Sequence, residues 1–198
     1  MSPESKPILN VSKLVKRFGG FYALDGLSFH VTPGEVLGLV GPNGSGKTTA
    51  INVISGLYTP DGGEVMLDGG KSIGGVASHR LVHRGINRTF QVPKPFLSLT
   101  VRENIQVALS HGRASVTPPS IAELLEEYRL REVADRPAAD LNSAQQKMLD
   151  LTRALATRPR LLLLDELAAG RKPKPGPQID RQFSAPVGGP TTLKSVKA

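Results

Sequence analysis

Three features of this chain predict an α/β fold. Residues Glu35-Val36-Leu37-Gly38-Leu39-Val40 read as a buried strand that runs into the glycine-rich stretch Gly41-Pro42-Asn43-Gly44-Ser45-Gly46-Lys47-Thr48-Thr49. A helical segment, 48–56, leaves that stretch, so strand, loop and helix follow without a break. Far downstream, residues 161–164 are all leucine, and the strand they predict ends in Asp165-Glu166. Near-continuous apolar runs of this kind belong to strands covered on both faces, as in a parallel sheet between helices.

The other elements can be read in chain order. Residues 8–31 mix apolar and polar side chains around Gly19-Gly20 and Asp25-Gly26, which predicts short strands and turns of a half-buried sheet. Asp61-Gly62-Gly63 and Asp68-Gly69-Gly70 bracket a short strand at 64–67. A helix is expected over 78–84, then a strand over 86–90 that ends at Gln91. From Thr100 the period becomes helical: Val101, Ile105, Ala108 and Leu109 recur at helix spacing, as do Ile121, Leu124, Leu125 and Tyr128. A helical subdomain is therefore expected over about 96–140, broken at Thr117-Pro118-Pro119-Ser120, with Ser120 and Glu123 forming the ends of a capping box. Residues 145–157 form an amphipathic helix with Met148, Leu151, Thr152 and Leu155 on one face, and Pro159 lies just beyond it.

After Gly170 the composition changes. Pro173, Pro175, Pro177, Pro186 and Pro190 interrupt a stretch with few large apolar residues, so no stable helix or central strand is expected over 171–198. The chain divides on this reading into a folded domain, 1–170, and a disordered basic, proline-rich tail, 171–198. Six basic residues in the tail against Asp180 give it +5 of the formal net charge of +8, leaving +3 for the body. The basicity is thus a property of the tail, and no nucleic-acid partner is expected. The chain has no cysteine, which excludes disulfides, thiolate metal sites and thiol catalysis. Its apolar runs fall far short of a membrane span, and its first ten residues are too polar for a signal sequence, so a cytoplasmic protein is expected.

The glycine-rich stretch has the chemistry of a phosphate cradle. Its glycines let successive backbone N–H groups turn inward around phosphates, Lys47 adds a point charge, and Thr48 offers a hydroxyl to Mg²⁺. With Asp165-Glu166 at a strand end, the pattern is that of a nucleotide triphosphatase.

Further motifs carry a more specific likeness. Lys16-Arg17-Phe18-Gly19-Gly20, Gly85-Ile86-Asn87-Arg88-Thr89-Phe90-Gln91 and Leu141-Asn142-Ser143-Ala144-Gln145-Gln146 stand in order around the two main motifs. The chain thereby resembles an ABC-transporter ATPase subunit over about 8–170. The 85–91 segment, Leu99-Thr100-Val101-Arg102-Glu103-Asn104 and Ala154-Leu155-Ala156-Thr157-Arg158-Pro159 look most like the branched-chain amino-acid importer subgroup. The resemblance implies a P-loop NTPase domain with a β entry subdomain and a helical subdomain, using ATP and Mg²⁺. It implies that Gly41, Pro42, Asn43, Gly44, Ser45, Gly46, Lys47, Thr48 and Thr49 bind the phosphates and that Phe18 stacks on the adenine. By the same likeness Thr48, Gln91 and Asp165 serve the metal, and Glu166 polarises the attacking water. Read as residues alone, Phe18 also fits a core position, Gln91 a solvated glutamine and Asp165-Glu166 an acidic strand end.

The family's partners follow from the same likeness: a second ATPase subunit in a head-to-tail dimer, and permease subunits that hold the protein peripherally on the inner face of the cell membrane. Its signature is Leu-Ser-Gly-Gly-Gln, which here reads Leu141-Asn142-Ser143-Ala144-Gln145. Each added Cβ narrows backbone approach, so a weakened cap on the partner's nucleotide is expected. Leu167 stands where the family has a proline, and no histidine follows His111 although the family places a switch histidine on a later strand. The C-terminal half therefore reads as incomplete, from a truncated gene or a shifted frame. Two functions compete: an importer ATPase, or a nucleotide-binding fragment without productive hydrolysis.

Overall fold

The computed structural model describes residues 6–113, 115–165 and 191–197. It opens with a long antiparallel hairpin, β1 (Leu9–Phe18) and β2 (Phe21–Val31), turning at Gly19-Gly20. The sequence suggests several short strands here. Register shifts between Val11 and Leu14, and again up to Arg17, let one pair of strands bend through the polar interruptions instead of stopping at them. β1 also pairs with β4 (Gly62–Leu67), which pairs with β5 (Lys71–Ser72), giving an antiparallel sheet in the order β2-β1-β4-β5.

The second sheet is parallel. It contains β3 (Val36–Gly41), β6 (Ile86–Arg88), β7 (Leu161–Asp165) and β8 (Thr191–Lys197), in the order β3-β8-β7-β6. Helix α1 (Lys47–Ile54) follows β3, and α2 (Ser78–His83) precedes β6. Helices α3 (Val101–Ser110) and α4 (Ile121–Glu127) and two 3-10 turns build the helical subdomain. From there α5 (Ser143–Ala156) returns to β7.

β7 shows why its leucines are consecutive. Leu161 and Leu163 join the core shared with α1 and the antiparallel sheet, where Leu9, Leu14, Ile51, Ile54 and Val65 are all fully buried. Leu162 and Leu164 face the other way and pack on Leu151 and Ala154 of α5. A two-residue period with both faces covered makes all four positions 161–164 apolar. α5 also contributes Leu149 and Ala156 to a third cluster with Val101, Ile105, Leu124 and Leu125, so it joins the parallel sheet to the helical subdomain.

Three helix starts are fixed by reciprocal capping boxes. Ser120 Oγ accepts from the Glu123 N–H at 3.1 Å, and Glu123 accepts from the Ser120 N–H at 2.8 Å, as the sequence predicts. Thr100 with Glu103 and Asn142 with Gln145 do the same for α3 and α5.

One expectation is overturned. The reading of 171–198 as a tail with no central strand fails at Thr191–Lys197, which pairs with β3 from Val36↔Thr192 to Gly41↔Lys197 and with β7 from Leu161↔Thr191 to Asp165↔Ser195. Thr192 and Leu193 are buried, and the Thr192 N–H donates to the Glu35 carbonyl at 3.0 Å. The tail's prolines all precede residue 191, so the strand itself lacks none of its ladder donors. Averaged over the whole tail, composition concealed a short run of Thr191, Thr192, Leu193 and Val196 that suits a strand. The expectations for 166–190, including Glu166, Leu167 and Gly170, lie outside the described residues.

Candidate nucleotide site

The loop takes its shape from two glycines. Gly46 adopts φ +87°, and a Cβ there would run into the Ala23 carbonyl oxygen of β2. At Gly41 a Cβ would lie 2.7 Å from Ser45 Oγ, so the loop closes on itself only without one. Gly46 is also the N-cap of α1 and, having no side chain, supplies no capping oxygen. The first N–H groups of α1 therefore point out of the helix toward the loop without a side-chain acceptor, at the positive end of the helix dipole. This is an anion site of the kind phosphates occupy.

Lys47 lies across the loop. Its Nζ donates to the carbonyls of Gly41 at 2.6 Å and Pro42 at 2.7 Å and to Ser45 Oγ at 3.2 Å, which folds the ammonium over the cradle. Thr48, one residue on, reaches the end of β7: its Oγ1 donates to Asp165 Oδ1 at 3.3 Å across 117 residues of sequence. Asp165 is 2% exposed. A hydroxyl and a carboxylate oxygen side by side, next to a phosphate cradle, are the hard oxygen donors that suit Mg²⁺, which otherwise fills its shell with water and phosphate oxygens.

Arg88, which the sequence places in a motif but gives no role, stands behind Asp165. Its guanidinium lies 3.7 Å from Asp165 Oδ2, donates to Ser55 Oγ at 3.0 Å and to Asn52 Oδ1, and stacks over the Phe90 ring at 4.8 Å. Burial lowers its pKa from the usual arginine value, while Asp165, Asp150 and Tyr58 work to hold the charge. The guanidinium thus ties the buried face of α1 to the acidic end of β7. No periodicity or spacing signals this role, since a buried arginine is visible only once its partners are in place.

Gln91 and Phe18 are both exposed. Phe18 ends β1, is 46% exposed, meets Tyr58 edge-on at 5.3 Å and has Lys16 Nζ 5.5 Å from its ring centre. Gln91 is exposed on the loop after β6. That loop is held from α5: Asp150 Oδ2 accepts from the Phe90 N–H at 3.0 Å, and Arg153 donates to the Lys94 carbonyl at 2.8 Å. Burial pushes the Asp150 pKa up, against the Phe90 N–H, Arg153, the Lys94 N–H and Arg88, which favour its charged form.

The structure thus brings Thr48 of the loop and Asp165 of β7 into contact, with Lys47 beside Thr48 in the chain, and shows Phe18 at the end of β1 and Gln91 on the loop after β6. It does not bring the signature to them. Asn142 caps α5, its Oδ1 accepting from the Gln145 N–H at 2.9 Å while Gln145 Oε1 accepts in return from the Asn142 N–H at 3.0 Å. Among the described residues, no hydrogen bond or ion pair links Leu141, Asn142, Ser143, Ala144 or Gln145 to the loop. No helix among the described residues is long and apolar enough to cross a membrane.

A phosphate cradle between a parallel strand and a helix, facing a buried aspartate at the end of β7 in the same sheet, defines a P-loop nucleotide triphosphatase. The family model described as "ABC transporter" matches residues 24–169. The chain belongs to that family, and by that membership it is an ATPase. It is 40% identical over 188 residues to the high-affinity branched-chain amino acid transport ATP-binding protein BraF of Pseudomonas aeruginosa, covering 86% of this chain and 73% of that one. The corresponding protein LivG of Escherichia coli is 36% identical, with 89% and 75% covered. Among solved structures, the ADP conformation of MJ1267, an ATP-binding cassette of an ABC transporter, superposes with a TM-score of 0.78 at 34% identity, covering 96% of this chain and 81% of that one.

Proposed function

We propose that this chain is the ATP-binding subunit of an importer for branched-chain amino acids or related compounds, working with Mg²⁺ on the inner face of the membrane. The observation that carries the reading is the contact of Thr48 with Asp165, because it joins the phosphate loop to the acidic strand end across most of the domain. The names of BraF and LivG supply the substrate class. Family resemblance supplies permease subunits as docking partners and a second ATPase subunit as the dimer partner.

Phosphoryl transfer is governed by positioning and by stabilising the charge that spreads over the transferred group. The N–H groups of Gly44, Ser45, Gly46, Lys47, Thr48 and Thr49 would hold phosphate oxygens, and Lys47 would exchange the Gly41 and Pro42 carbonyls for them. Thr48 Oγ1 and Asp165 would hold Mg²⁺ with Gln91 near it, and Phe18 would stack on the base. Held by these residues, Mg²⁺ would supply positive charge against the phosphates. Glu166 is the residue assigned to orienting water, and Asn142 with its neighbours would cap the partner's nucleotide.

The test begins with nucleotide binding. Mg-ATP at about 100 times its dissociation constant should stabilise the folded chain by about 2.7 kcal/mol, read as a thermal shift. Lys47→Ala should abolish the shift, since a methyl cannot replace an ammonium at the phosphates. No shift in the unmutated, folded chain would refute the reading. Hydrolysis that disappears in Glu166→Gln while binding persists would select the importer ATPase over a binding-only fragment.

A further inference from the structure

The backbone around Gln91 is held from α5. Two side chains one turn apart on α5, Asp150 and Arg153, lie 4.0 Å from each other and both turn toward the loop after β6. Asp150, 7% exposed, accepts from the Phe90 N–H at 3.0 Å. Arg153 donates to the Lys94 carbonyl at 2.8 Å and stacks on the Phe96 ring at 4.9 Å. One carboxylate and one guanidinium therefore hold the backbone immediately before Gln91 and three residues after it. The loop's own side chains add to this grip, because Arg88 and Lys94 both lie over the Phe90 ring, at 4.8 and 5.6 Å.

α5 also begins at Asn142, so the helix that holds the Gln91 loop carries the signature residues at its first turn. Its body is fixed to β7 through Leu151 and Ala154 and to the helical subdomain through Leu149 and Ala156. A charged pair whose hydrogen bonds run to the backbone of a loop sets that loop's position.

We infer that Asp150 and Arg153 form a clip on α5 that positions the backbone on either side of Gln91. They are positioning residues, since their hydrogen bonds run to the backbone of the loop. The inference rests on the role proposed above for Gln91 at the Mg²⁺ end of the site.

The test uses the full chain and three variants, Asp150→Asn, Asp150→Glu and Arg153→Lys. Amide exchange of residues 86–99 reads the clip directly. A fluorescent ATP analogue, titrated with and without Mg²⁺, reads its effect on the site. In Asp150→Asn, exchange over 86–99 should be about tenfold or more faster, as expected for losing a charged acceptor, with the rest of the chain within about twofold. The affinity gained on adding Mg²⁺ should shrink by about three- to tenfold, while metal-free affinity, set by the phosphate loop, stays within about twofold. Arg153→Lys, which keeps the charge but loses the planar fork, should show the same pattern more weakly. Asp150→Glu, which keeps the carboxylate, should recover part of both effects.

Exchange over 86–99 at the unmutated rate would overturn the clip. So would a uniform rise across the chain with metal-free binding lost in both Asp150 variants, which would make Asp150 a core residue and no more. If the unmutated chain binds no nucleotide, the functional reading fails, and the exchange measurement alone decides the clip.

Discussion

β7 and β8 lie side by side in one sheet, each paired on both edges, yet their sequences have little in common. β7 is Leu161-Leu162-Leu163-Leu164-Asp165 and announces a buried strand on inspection. β8 is Thr191-Thr192-Leu193-Lys194-Ser195-Val196-Lys197, preceded by twenty-odd residues rich in proline and charge, and announces nothing of the sort. Both nonetheless fill internal places. The difference teaches that two contributions hold a central strand. Side chains bury apolar area, which a sequence displays, whereas the backbone ladder satisfies N–H and C=O groups that any non-proline residue carries. β3 and β7 each turn an edge toward the gap between them, and β8 closes both.

The sharpest way to break the comparison is to remove equal volume from each strand. Leu163 and Leu193 are both fully buried in the same core, so Leu163→Ala and Leu193→Ala should each cost about 2–5 kcal/mol in urea denaturation. Against a typical domain stability of about 5–15 kcal/mol, either loss is large. If Leu193→Ala costs less than about 0.5 kcal/mol, β8 does not hold its place in solution. The backbone contribution is measured separately by amide exchange, which should be as slow over Thr191–Lys197 as over Leu161–Asp165.

A smaller effect sharpens the distinction between side-chain chemistry and backbone duty at Asn142. As the N-cap of α5 its oxygen satisfies one helix donor, so Asn142→Ala should destabilise the chain by about 1 kcal/mol, and Asn142→Ser by less. Nucleotide affinity of the single chain should not change in either variant, because the cap makes no contact with the loop. Affinity that falls with Asn142→Ala while stability holds would reverse that assignment.

The smallest effects are in the pH dependence, where place again decides the sign. Glu103 and Glu123 have pKa values below the usual range because the backbone N–H and hydroxyl of Thr100 and Ser120 donate to them. Their contribution is complete above the unfolded glutamate value near ~4.3 and is lost as pH falls through the lower folded value. Asp150 runs the other way. Burial raises its folded pKa above the unfolded ~3.9, so it costs stability above the folded value, and that cost is relieved as pH falls toward the unfolded one. Denaturation curves between about pH 3 and 7 should therefore show a steeper acid loss for Asp150→Asn and a gentler one for Glu103→Gln combined with Glu123→Gln. Parallel curves for all three proteins would refute the assignment.

How much of this was legible in the sequence follows the same division. β3, the phosphate loop, α1, β7 and the cap at Ser120 could be read because each has a local signature: a period, a glycine pattern or a capping pair. Asp165 could be placed opposite the loop because four leucines carried it to a strand end. Arg88 and Asp150 could not be assigned, since their roles depend on neighbours brought in from α1, β7 and the loop after β6. Thr100 and Asn142 as caps were within reach, each followed three residues later by Glu103 or Gln145, but Asn142 had been drawn into the signature motif instead. The strand-suited run of β8 is hard to read because the proline-rich residues before it dominate the composition, and no local signal reports a gap waiting in a sheet formed by strands elsewhere.

The insertion of β8 between β3 and β7 also sets an order of events during synthesis. Val36 pairs with Thr192 and not with its own sequence neighbourhood, so β3 leaves the ribosome long before its partner exists. At ~5–20 residues per second the interval is roughly eight to thirty seconds. Through that time β3 presents free ladder groups and the apolar side chains of Val36 and Val40, which stay exposed even in the finished fold. The antiparallel hairpin of β1 and β2, built from near neighbours, can form at once, whereas the parallel sheet and the Thr48–Asp165 contact at its end must wait for the last described strand. Until residues 191–197 emerge, the edges of β3 and β7 that β8 covers stay open to pairing with other chains.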